Sequence, residues 1–273
     1  YKQMFSVLTN FLYNVWGLWA SILFSFIKLV ILFLILTIVV ATVTLIERKI
    51  LSLTQRRVGP NYIGYKGRMQ FMADALKLLL KHILVLSKAN KLYFILVPAL
   101  VCMIIYLFWA NILWGPNLAI CEVEYNVFLM CLISNLCSIL LVIAGYSSNN
   151  KYAILSSSRV LVTGLVLEIL LTFLLLVLAL ASQSINFYLI AQTQSNWDWN
   201  IFVCLPIWPI MVVTFFLETS RIPFDFTEAE AELIAGYTTE YGGFYFALFY
   251  LGEYFHLYCF SAIYTVCLFG GYF

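Results

Sequence analysis

The stretch that decides the fold is Ile22-Leu-Phe-Ser-Phe-Ile-Lys-Leu-Val-Ile-Leu-Phe-Leu-Ile-Leu-Thr-Ile-Val-Val-Ala-Thr-Val-Thr-Leu-Ile46. Only Lys28 and a few hydroxyl side chains interrupt this apolar run. About 20 apolar residues suffice to cross the hydrocarbon core of a bilayer as a helix. Its β-branched residues would suit a strand in water, but in hydrocarbon a helix satisfies its own backbone hydrogen bonds. The stretch therefore predicts a transmembrane helix.

Apolar runs of this kind recur along the whole chain of 273 residues, which is 64% hydrophobic and only 10% charged. A soluble domain has far more charge than this. We interpret the runs as spans near 21–46, 92–114, 127–146, 159–181, 200–219 and 243–271. No internal repeat or second domain is visible. The sequence predicts an all-α, polytopic membrane helix bundle of about six transmembrane helices plus one surface amphipathic helix, as a single membrane domain over 1–273.

The first residues carry one Lys and lead into a span without a small-residue cleavage site, so we expect no cleavable signal peptide. Residues 5–20 are rich in Phe, Leu and Trp. They predict either an interfacial helix or an extension of the first span.

The positive charges predict the orientation. Segment 47–91 holds ten of the fifteen Lys and Arg residues, and Lys151, Arg159 and Arg221 add three on the same side. The opposite loops, around 115–126 and 182–199, hold none. Because positive loops stay inside, the basic side should face the cytoplasm or its organellar equivalent.

The first inside loop contains turn signals and then an amphipathic segment. Gly and Pro residues within 55–60 and 64–67 predict turns. A helix from Arg68 to about Val85 would carry its apolar and its charged residues on different faces. The apolar face would hold Met72, Leu76, Leu79 and Ile83, and the charged face would hold Asp74, Lys77 and Lys81. Such a helix lies flat at a membrane surface. It either anchors the loop to lipid headgroups or places Asp74 and the arginines at the mouth of a cavity.

Cysteine and histidine do not point to a cofactor in this chain. The seven cysteines form no C-x-x-C pair and mostly lie inside apolar runs, so we expect neither disulfides nor a metal site. His82 and His256 are too scattered for haem or zinc. Nucleotide-binding Gly-rich motifs are missing too. Any redox centres should therefore belong to partner subunits.

The acidic residues concentrate in one stretch, Glu218-Thr-Ser-Arg-Ile-Pro-Phe-Asp-Phe-Thr-Glu-Ala-Glu-Ala-Glu232, which holds five of the thirteen Asp and Glu. In a helix, Asp225, Glu228 and Glu232 would lie on one stripe. Carboxylates this close should titrate as a coupled set, with some pKa values raised. The stretch predicts a proton-handling site beside the membrane, or else a solvated polar loop.

Two further carboxylates fall inside predicted spans. Glu168 lies nine residues beyond Arg159, about 13 Å along a helix, and Glu253 lies ten residues beyond Gly243. An intramembrane carboxylate costs at least ~2.5 kcal/mol to insert. Each should therefore be paired, protonated or facing a wet cavity, and His256 could share a proton with Glu253.

Together these segments resemble the NADH-ubiquinone oxidoreductase chain 1 family, the membrane subunit at the heel of respiratory complex I. The stretches that carry the resemblance are 47–49 with 55–60, 67–81, 145–152 with Arg159, and 218–254. Phe224-Asp-Phe-Thr-Glu-Ala-Glu-Ala-Glu-Leu233 follows the family pattern closely. The similarity extends from about residue 21 to the end of the chain.

The resemblance implies a ubiquinone chamber, reduced by an iron–sulfur centre of a partner, and a trail of carboxylates that couples quinone reduction to proton translocation. It assigns to the chamber and its acidic loop Arg48, Arg56, Asp74, Arg221, Phe224, Asp225, Glu228, Glu230 and Glu232. It assigns Glu168, Glu218 and Glu253 to the trail. Flavin and iron–sulfur clusters would lie only in partner subunits, other complex I subunits and lipids would surround the chain, and no nucleic acid is expected. The location would be the mitochondrial inner membrane, although a bacterial inner membrane also fits.

The chain departs from the family pattern at His82, where an acid is common, and at Thr163 and Leu167, where Gln and Tyr are common. It ends after what matches the sixth of eight family helices, so we expect either that the chain is truncated or that a separate chain supplies the last two helices. An ion-translocating subunit of a membrane hydrogenase, or a cation transporter, remains an alternative.

Overall fold

We describe a computed structural model of the chain, which covers residues 2–112, 123–194, 199–221, 224–225 and 235–271, with side chains from Leu23 onward. The chain divides into two compact units, residues 1–39 and 40–273. Within the described residues the structure contains helices, turns and loops but no strand. The expectation of an all-α membrane protein is therefore confirmed. The expectation of one single domain stays a prediction.

The first unit is the amino-terminal part of α1, a helix that begins at Lys2 and ends at Thr54. Residues 5–20 thus continue the helix of the first span, the second of the two possibilities that the sequence left open. Lys28 is the one charge in this apolar stretch, and its Nζ lies 4.7 Å from the centre of the Phe24 ring. The ring face attracts the ammonium group and lowers the cost of a cation within an apolar run.

The second unit contains the end of α1 and the other helices. They are α2 (Gln70–Leu80), α3 (Lys91–Ala110), α4 (Asn126–Ser147), α5 (Lys151–Ala181), α6 (Phe187–Thr193), α7 (Asn200–Val203), α8 (Ile207–Glu218) and α9 (Phe244–Phe269). Two short 3₁₀ turns, Tyr65–Gly67 and Gly236–Thr238, lie in the loops.

Among the described residues, four helices are long and apolar enough to cross a membrane: Leu23–Thr54 of α1, α3, α4 and α5. The fifth expected span, 200–219, is broken into α7 and α8 by residues 204–206. Pro206 lacks an N–H and disfavours helical backbone in the residue before it, which accounts for the break. The sixth, α9, has 26 residues and contains five tyrosines, Glu253 and His256, and it is not among these four helices.

The helices of the second unit pack in the order α5, α4, α3 and α9, and α8 also lies against α5. Small residues allow the backbones of α4 and α5 to approach each other closely. A Cβ atom added at Gly164 of α5 would lie only 3.1 Å from the Cβ of Ser138 on α4. Short contacts of this kind between small residues hold helices together within a bilayer. The centre of the bundle is filled by large apolar side chains, among them Phe94, Phe108, Phe255, Phe260 and Leu178.

The amphipathic helix is present but shorter than the sequence predicts. It ends at Leu80, and Lys81 has extended backbone, so the expected continuation to Val85 is wrong. Gly243 explains part of this end, because its backbone approaches the carbonyl of Lys81 so closely that a Cβ there would lie 3.1 Å from that oxygen. The predicted turns before α2 are confirmed, since Gly64 and Gly67 have φ of 70° and 74°.

Candidate functional site

Two neighbouring cavities lie among the residues of the second unit. The first cavity, of about 230 Å³, lies between α3, α4, α5, the end of α8 and α9. The second cavity, of about 390 Å³, lies between the end of α1, the turn before α9 and α9 itself. Arg221, Phe249 and Glu253 line both cavities. The two spaces therefore share a wall that carries one cation and one carboxylate.

Glu168 is buried near the middle of α5, with 3% of its surface exposed. The hydroxyl of Ser134 on α4 lies 2.6 Å from each of its two carboxylate oxygens. Ser134 lines the first cavity. Of the three states expected for an intramembrane carboxylate, the structure shows pairing, but with a neutral hydroxyl rather than with a cation.

Thr163 and Leu167, the two departures from the family pattern, both line the first cavity. The hydroxyl of Thr163 donates to the carbonyl of Arg159 on its own helix at 2.8 Å. Leu167 has an apolar side chain and offers no hydrogen-bonding group. The polar contact to Glu168 therefore comes from the neighbouring helix α4.

Glu253 lies on α9, one turn before His256, and both side chains line the first cavity. Tyr237, from the 3₁₀ turn before α9, donates its hydroxyl to Oε1 of Glu253 at 2.7 Å. The imidazole of His256 packs edge-on against Phe108 and Phe260, with ring centres 6.0 and 4.6 Å apart. His256 thus has an aromatic surrounding, whereas Glu253 has a polar one.

A three-residue cluster joins the end of α1 to α9. Arg221 pairs with Oε1 of Glu47 at 3.2 Å, and the hydroxyl of Tyr254 donates to Oε2 of Glu47 at 2.6 Å. The guanidinium of Arg221 also lies 4.8 Å from the centre of the Tyr254 ring. Burial lowers the pKa of Arg221, but the hydrogen bond with Tyr254 and the charge of Glu47 raise it more, so the net pKa lies above its ordinary value. Arg221 is therefore a fixed positive charge in the shared wall.

Arg48 and Asp74 form a second ion pair, between α1 and the amphipathic helix. Nη1 of Arg48 lies 2.5 Å from Oδ2 of Asp74, while Gln70 donates to the other oxygen at 3.1 Å. Arg48 also lines the second cavity. The pair therefore connects α2 to a residue that lines that cavity, and both side chains are partly exposed.

Of the remaining predicted site residues, some line the first cavity and others line neither cavity. Glu218 ends α8 and lines the first cavity, as does Asp225. Arg56 has a left-handed backbone with φ of 54° and lines neither of the two cavities. Phe224 donates its N–H to the carbonyl of Arg221 and is also outside both linings. Glu228, Glu230 and Glu232 lie outside the described residues.

Sequence reasoning missed four residues that the structure brings to the site: Glu47, Ser134, Tyr237 and Tyr254. Glu47 stands beside Arg48 in one of the stretches that carry the family resemblance, so its charge is a usable signal. Ser134 and Ser138 interrupt an apolar helix at a spacing of one turn, which places hydroxyls on one face. Nothing distinguishes Tyr237 and Tyr254 among the eighteen tyrosines of the chain.

The fold and the site define a polytopic helical membrane protein with carboxylates set among its long helices. The sequence model of one family, described as NADH dehydrogenase, matches residues 27–273, and the chain belongs to that family. As a member, it is a membrane subunit of an oxidoreductase complex.

Curated relatives agree with this assignment. An NADH-ubiquinone oxidoreductase chain 1 from Paramecium tetraurelia is 47% identical over 88% of this chain and 92% of its own length. The protein of the same name from Podospora anserina is 36% identical, over 92% of this chain and 68% of its own length. A subunit of the NADH-quinone oxidoreductase from Bordetella avium is 35% identical, over 92% of this chain and 73% of its own length. The chain is thus similar to both eukaryotic and bacterial subunits.

Proposed function

We propose that the chain forms the ubiquinone-binding chamber, and the beginning of the proton pathway, of a proton-pumping NADH:ubiquinone oxidoreductase in the mitochondrial inner membrane. The observation that carries the proposal is the wall shared by the two cavities. Arg221 and Glu253 both line the two cavities. A change of charge in the second cavity therefore acts directly on the carboxylate of Glu253, which also faces the first cavity. This is the arrangement that coupling of quinone chemistry to proton movement requires.

The second cavity has the chemistry of a quinone site. Its aromatic residues Phe246, Phe249, Tyr250 and Tyr254 offer ring surfaces, and Arg48 offers a hydrogen-bond donor. Ligand pockets are typically apolar and aromatic with a few placed polar groups, in cavities of roughly 300–1,000 Å³. A quinone ring has flat apolar faces and two carbonyl oxygens that accept hydrogen bonds, so it matches this lining.

The first cavity has the chemistry of a proton pathway. Glu218, Asp225 and Glu253 line it, and Glu168 lies behind Ser134 at its edge. Reduction of a quinone to a quinol takes up two electrons and two protons. Carboxylates near that reaction can exchange protons with it, and intramembrane carboxylates of pumps mark such routes. Glu228, Glu230 and Glu232 would extend the acidic surface on the loop side.

The partners follow from the same proposal. The electrons would come from an iron–sulfur cluster of a partner subunit bound near the second cavity, and flavin would also lie in a partner. Neighbouring membrane subunits of complex I and lipids would cover the apolar outer faces of α1, α4 and α5. Arg56 and Phe224 stay predicted chamber residues.

Photolabelling of the intact complex tests the proposal. A ubiquinone analogue with a photoreactive ring should label peptides of α9 between Phe246 and Tyr254, or of α1 between Thr44 and Leu51. Excess ubiquinone should suppress the labelling. Labelling of this subunit only outside these two segments would contradict the assignment of the second cavity to the quinone ring.

A further inference from the structure

The contact between Ser134 and Glu168 has a geometry that a packing role does not require. The hydroxyl oxygen lies 2.6 Å from both oxygens of one carboxylate, which is the short end of the range for O–H···O bonds. Its other contact, with the carbonyl of Cys131 on its own helix, is long at 3.5 Å. The hydroxyl is therefore engaged by Glu168 rather than by the helix backbone, the usual partner of a serine in an apolar helix.

The position of Ser134 relative to the first cavity adds a second observation. Ser134 lines the cavity together with Glu218 and Glu253, whereas Glu168 is not among the described residues that line it. Glu168 is also almost fully buried. A proton that passes between Glu168 and the carboxylates of the cavity therefore meets the Ser134 hydroxyl on its way.

We propose that Ser134 is the proton relay between Glu168 and the first cavity, an inference that rests on the proposed function of that cavity. In the outward step, the Glu168 carboxyl gives its proton to the serine oxygen while the serine O–H proton passes to an acceptor in the cavity. Glu168 becomes a carboxylate, the acceptor gains one proton, and serine remains a neutral hydroxyl. The acceptor is a water molecule or the carboxylate of Glu218 or Glu253, and the cavity is large enough to hold several waters.

The other polar groups near Glu168 are less suited to this role. Thr163 lines the cavity, but its hydroxyl donates to the carbonyl of Arg159 on its own helix. Ser138 also lines the cavity one turn beyond Ser134, and its hydroxyl donates to the carbonyl of Asn135 at 2.9 Å. Ser138 thus provides a matched control: the same residue type, on the same helix and in the same cavity, with a different hydrogen-bond partner.

The test compares Ser134→Ala, Ser134→Thr, Ser138→Ala and Glu168→Gln in the assembled oxidoreductase within coupled vesicles. We expect Ser134→Ala to lower quinone reductase turnover and proton uptake about 100-fold or more, the lower end of the range for lost acid–base catalysis. The KM for ubiquinone should not change, and the solvent deuterium isotope effect on turnover should increase because a proton transfer now limits the rate. Ser134→Thr keeps the hydroxyl and should recover most of the turnover, and Ser138→Ala should lose less turnover than Ser134→Ala and keep the wild-type isotope effect.

Two outcomes would overturn the relay while leaving the proposed function intact. One is wild-type turnover and isotope effect in Ser134→Ala when Glu168→Gln is impaired. The other is an equal loss in Ser134→Ala and Ser138→Ala with an unchanged isotope effect, which would indicate packing. Wild-type coupling in Glu168→Gln would instead contradict the proposed pathway itself. Should Ser134→Ala not assemble, Ser134→Val has nearly the shape of Ser134→Thr but no hydroxyl, and wild-type turnover in that variant would equally overturn the relay.

Discussion

The hydroxyl of Tyr254 donates a 2.6 Å hydrogen bond to Oε2 of Glu47, across 207 residues of sequence. The other oxygen of Glu47 pairs with Arg221 at 3.2 Å, and Arg221 lies over the ring of Tyr254. Each of the three side chains thus contacts the other two. The cluster fixes the end of α1 to the middle of α9 beside the wall that the two cavities share.

Replacement of Tyr254 by Phe should loosen this connection. Tyr254→Phe keeps the ring beneath Arg221 and removes the donor to Glu47. A hydrogen bond to a charged group contributes about 1.5–3 kcal/mol, and the lower end applies because the side chain of Glu47 is 39% exposed. We expect amide hydrogen exchange in the middle of α9 to become roughly tenfold faster, measured by mass spectrometry of the complex.

Tyr245→Phe is the matched control, because Tyr245 lies on the same helix and packs against Phe94 away from the cluster. Its exchange rates should equal those of the wild type. Equal rates in Tyr254→Phe and in the wild type would show that Glu47 does not need this donor.

The ion pair of Arg48 and Asp74 should matter more for quinone turnover than for assembly. The two side chains are 50% and 35% exposed, and pairs at a surface contribute about 0–1 kcal/mol. Asp74→Asn should therefore leave the complex assembled. Arg48 also lines the second cavity. Without the charge of Asp74 the guanidinium of Arg48 is no longer held in place, so turnover should fall severalfold with both short-tail and long-tail quinones.

Lys77→Gln removes a charge from the same surface helix without touching this pair, and it should have wild-type turnover. If Asp74→Asn in a fully assembled complex also has wild-type turnover with both quinones, the pair is a structural contact only.

The helices could be predicted from the sequence because their cause is local. Apolar runs of span length must be helical in hydrocarbon, and the turns before α2 follow from Gly64 and Gly67. Pro206 also signals the break between α7 and α8, but the apolar composition of 200–219 continues through it and hides that signal. The extent of α2 depends instead on the approach of Gly243, which lies far away in the chain.

The site could be predicted only by its charged members. Carboxylates inside spans are conspicuous because they are costly to insert, so Glu168 and Glu253 can be found from the sequence. Their partners Ser134 and Tyr237 are ordinary residues that become special through tertiary contact. The pairing of Glu47 with Arg221 and Tyr254 likewise depends on how α1, α8 and α9 meet, which no local pattern specifies.

Glu253→Gln should separate quinone binding from proton movement. Gln keeps the shape and the contact with the Tyr237 hydroxyl through its carbonyl oxygen, but it cannot release a proton. We expect coupled turnover to fall about 100-fold or more, with an unchanged KM for ubiquinone. The measurement is NADH-driven proton uptake into vesicles, compared with the rate of quinone reduction.

Glu240→Gln is the control, since Glu240 accepts from Asn150 at 2.6 Å and lines neither of the two cavities. Full proton uptake in Glu253→Gln would make Glu253 a structural partner of Tyr237. A fall in Glu240→Gln of the same size would mean that any lost carboxylate on this side disturbs the subunit.

Tyr241 offers a test of packing that is independent of quinone chemistry. Its ring stacks on Phe94 with centres 4.2 Å apart, and its hydroxyl lies 2.9 Å from Oγ of Ser147 and 3.1 Å from the carbonyl of Ala144. Burial raises the pKa of Tyr241 to about 12, although the hydrogen bond with Ser147 lowers it. The phenol is therefore neutral at physiological pH and can donate.

Tyr241→Phe should destabilise the junction of α4 and the start of α9 by about 1 kcal/mol, which makes its local opening about fivefold more frequent. Because the pKa of Tyr241 in the folded state lies above the ordinary value of about 10, the phenol keeps its proton to a higher pH in the folded state than in the open state. The stability advantage of the wild type over Tyr241→Phe, which is the difference in their free energies of local opening, should thus be constant between about pH 6 and pH 9. It should decrease as the pH rises from about 10 toward 12.

Hydrogen exchange of residues 144–150 and 241–247, compared with the variant at each pH, measures this advantage. Tyr152→Phe, at an exposed position of α5, should match the wild type throughout. An advantage that stays constant from pH 9 to pH 12 would show that the Tyr241 phenol ionises at its ordinary pKa in the folded protein.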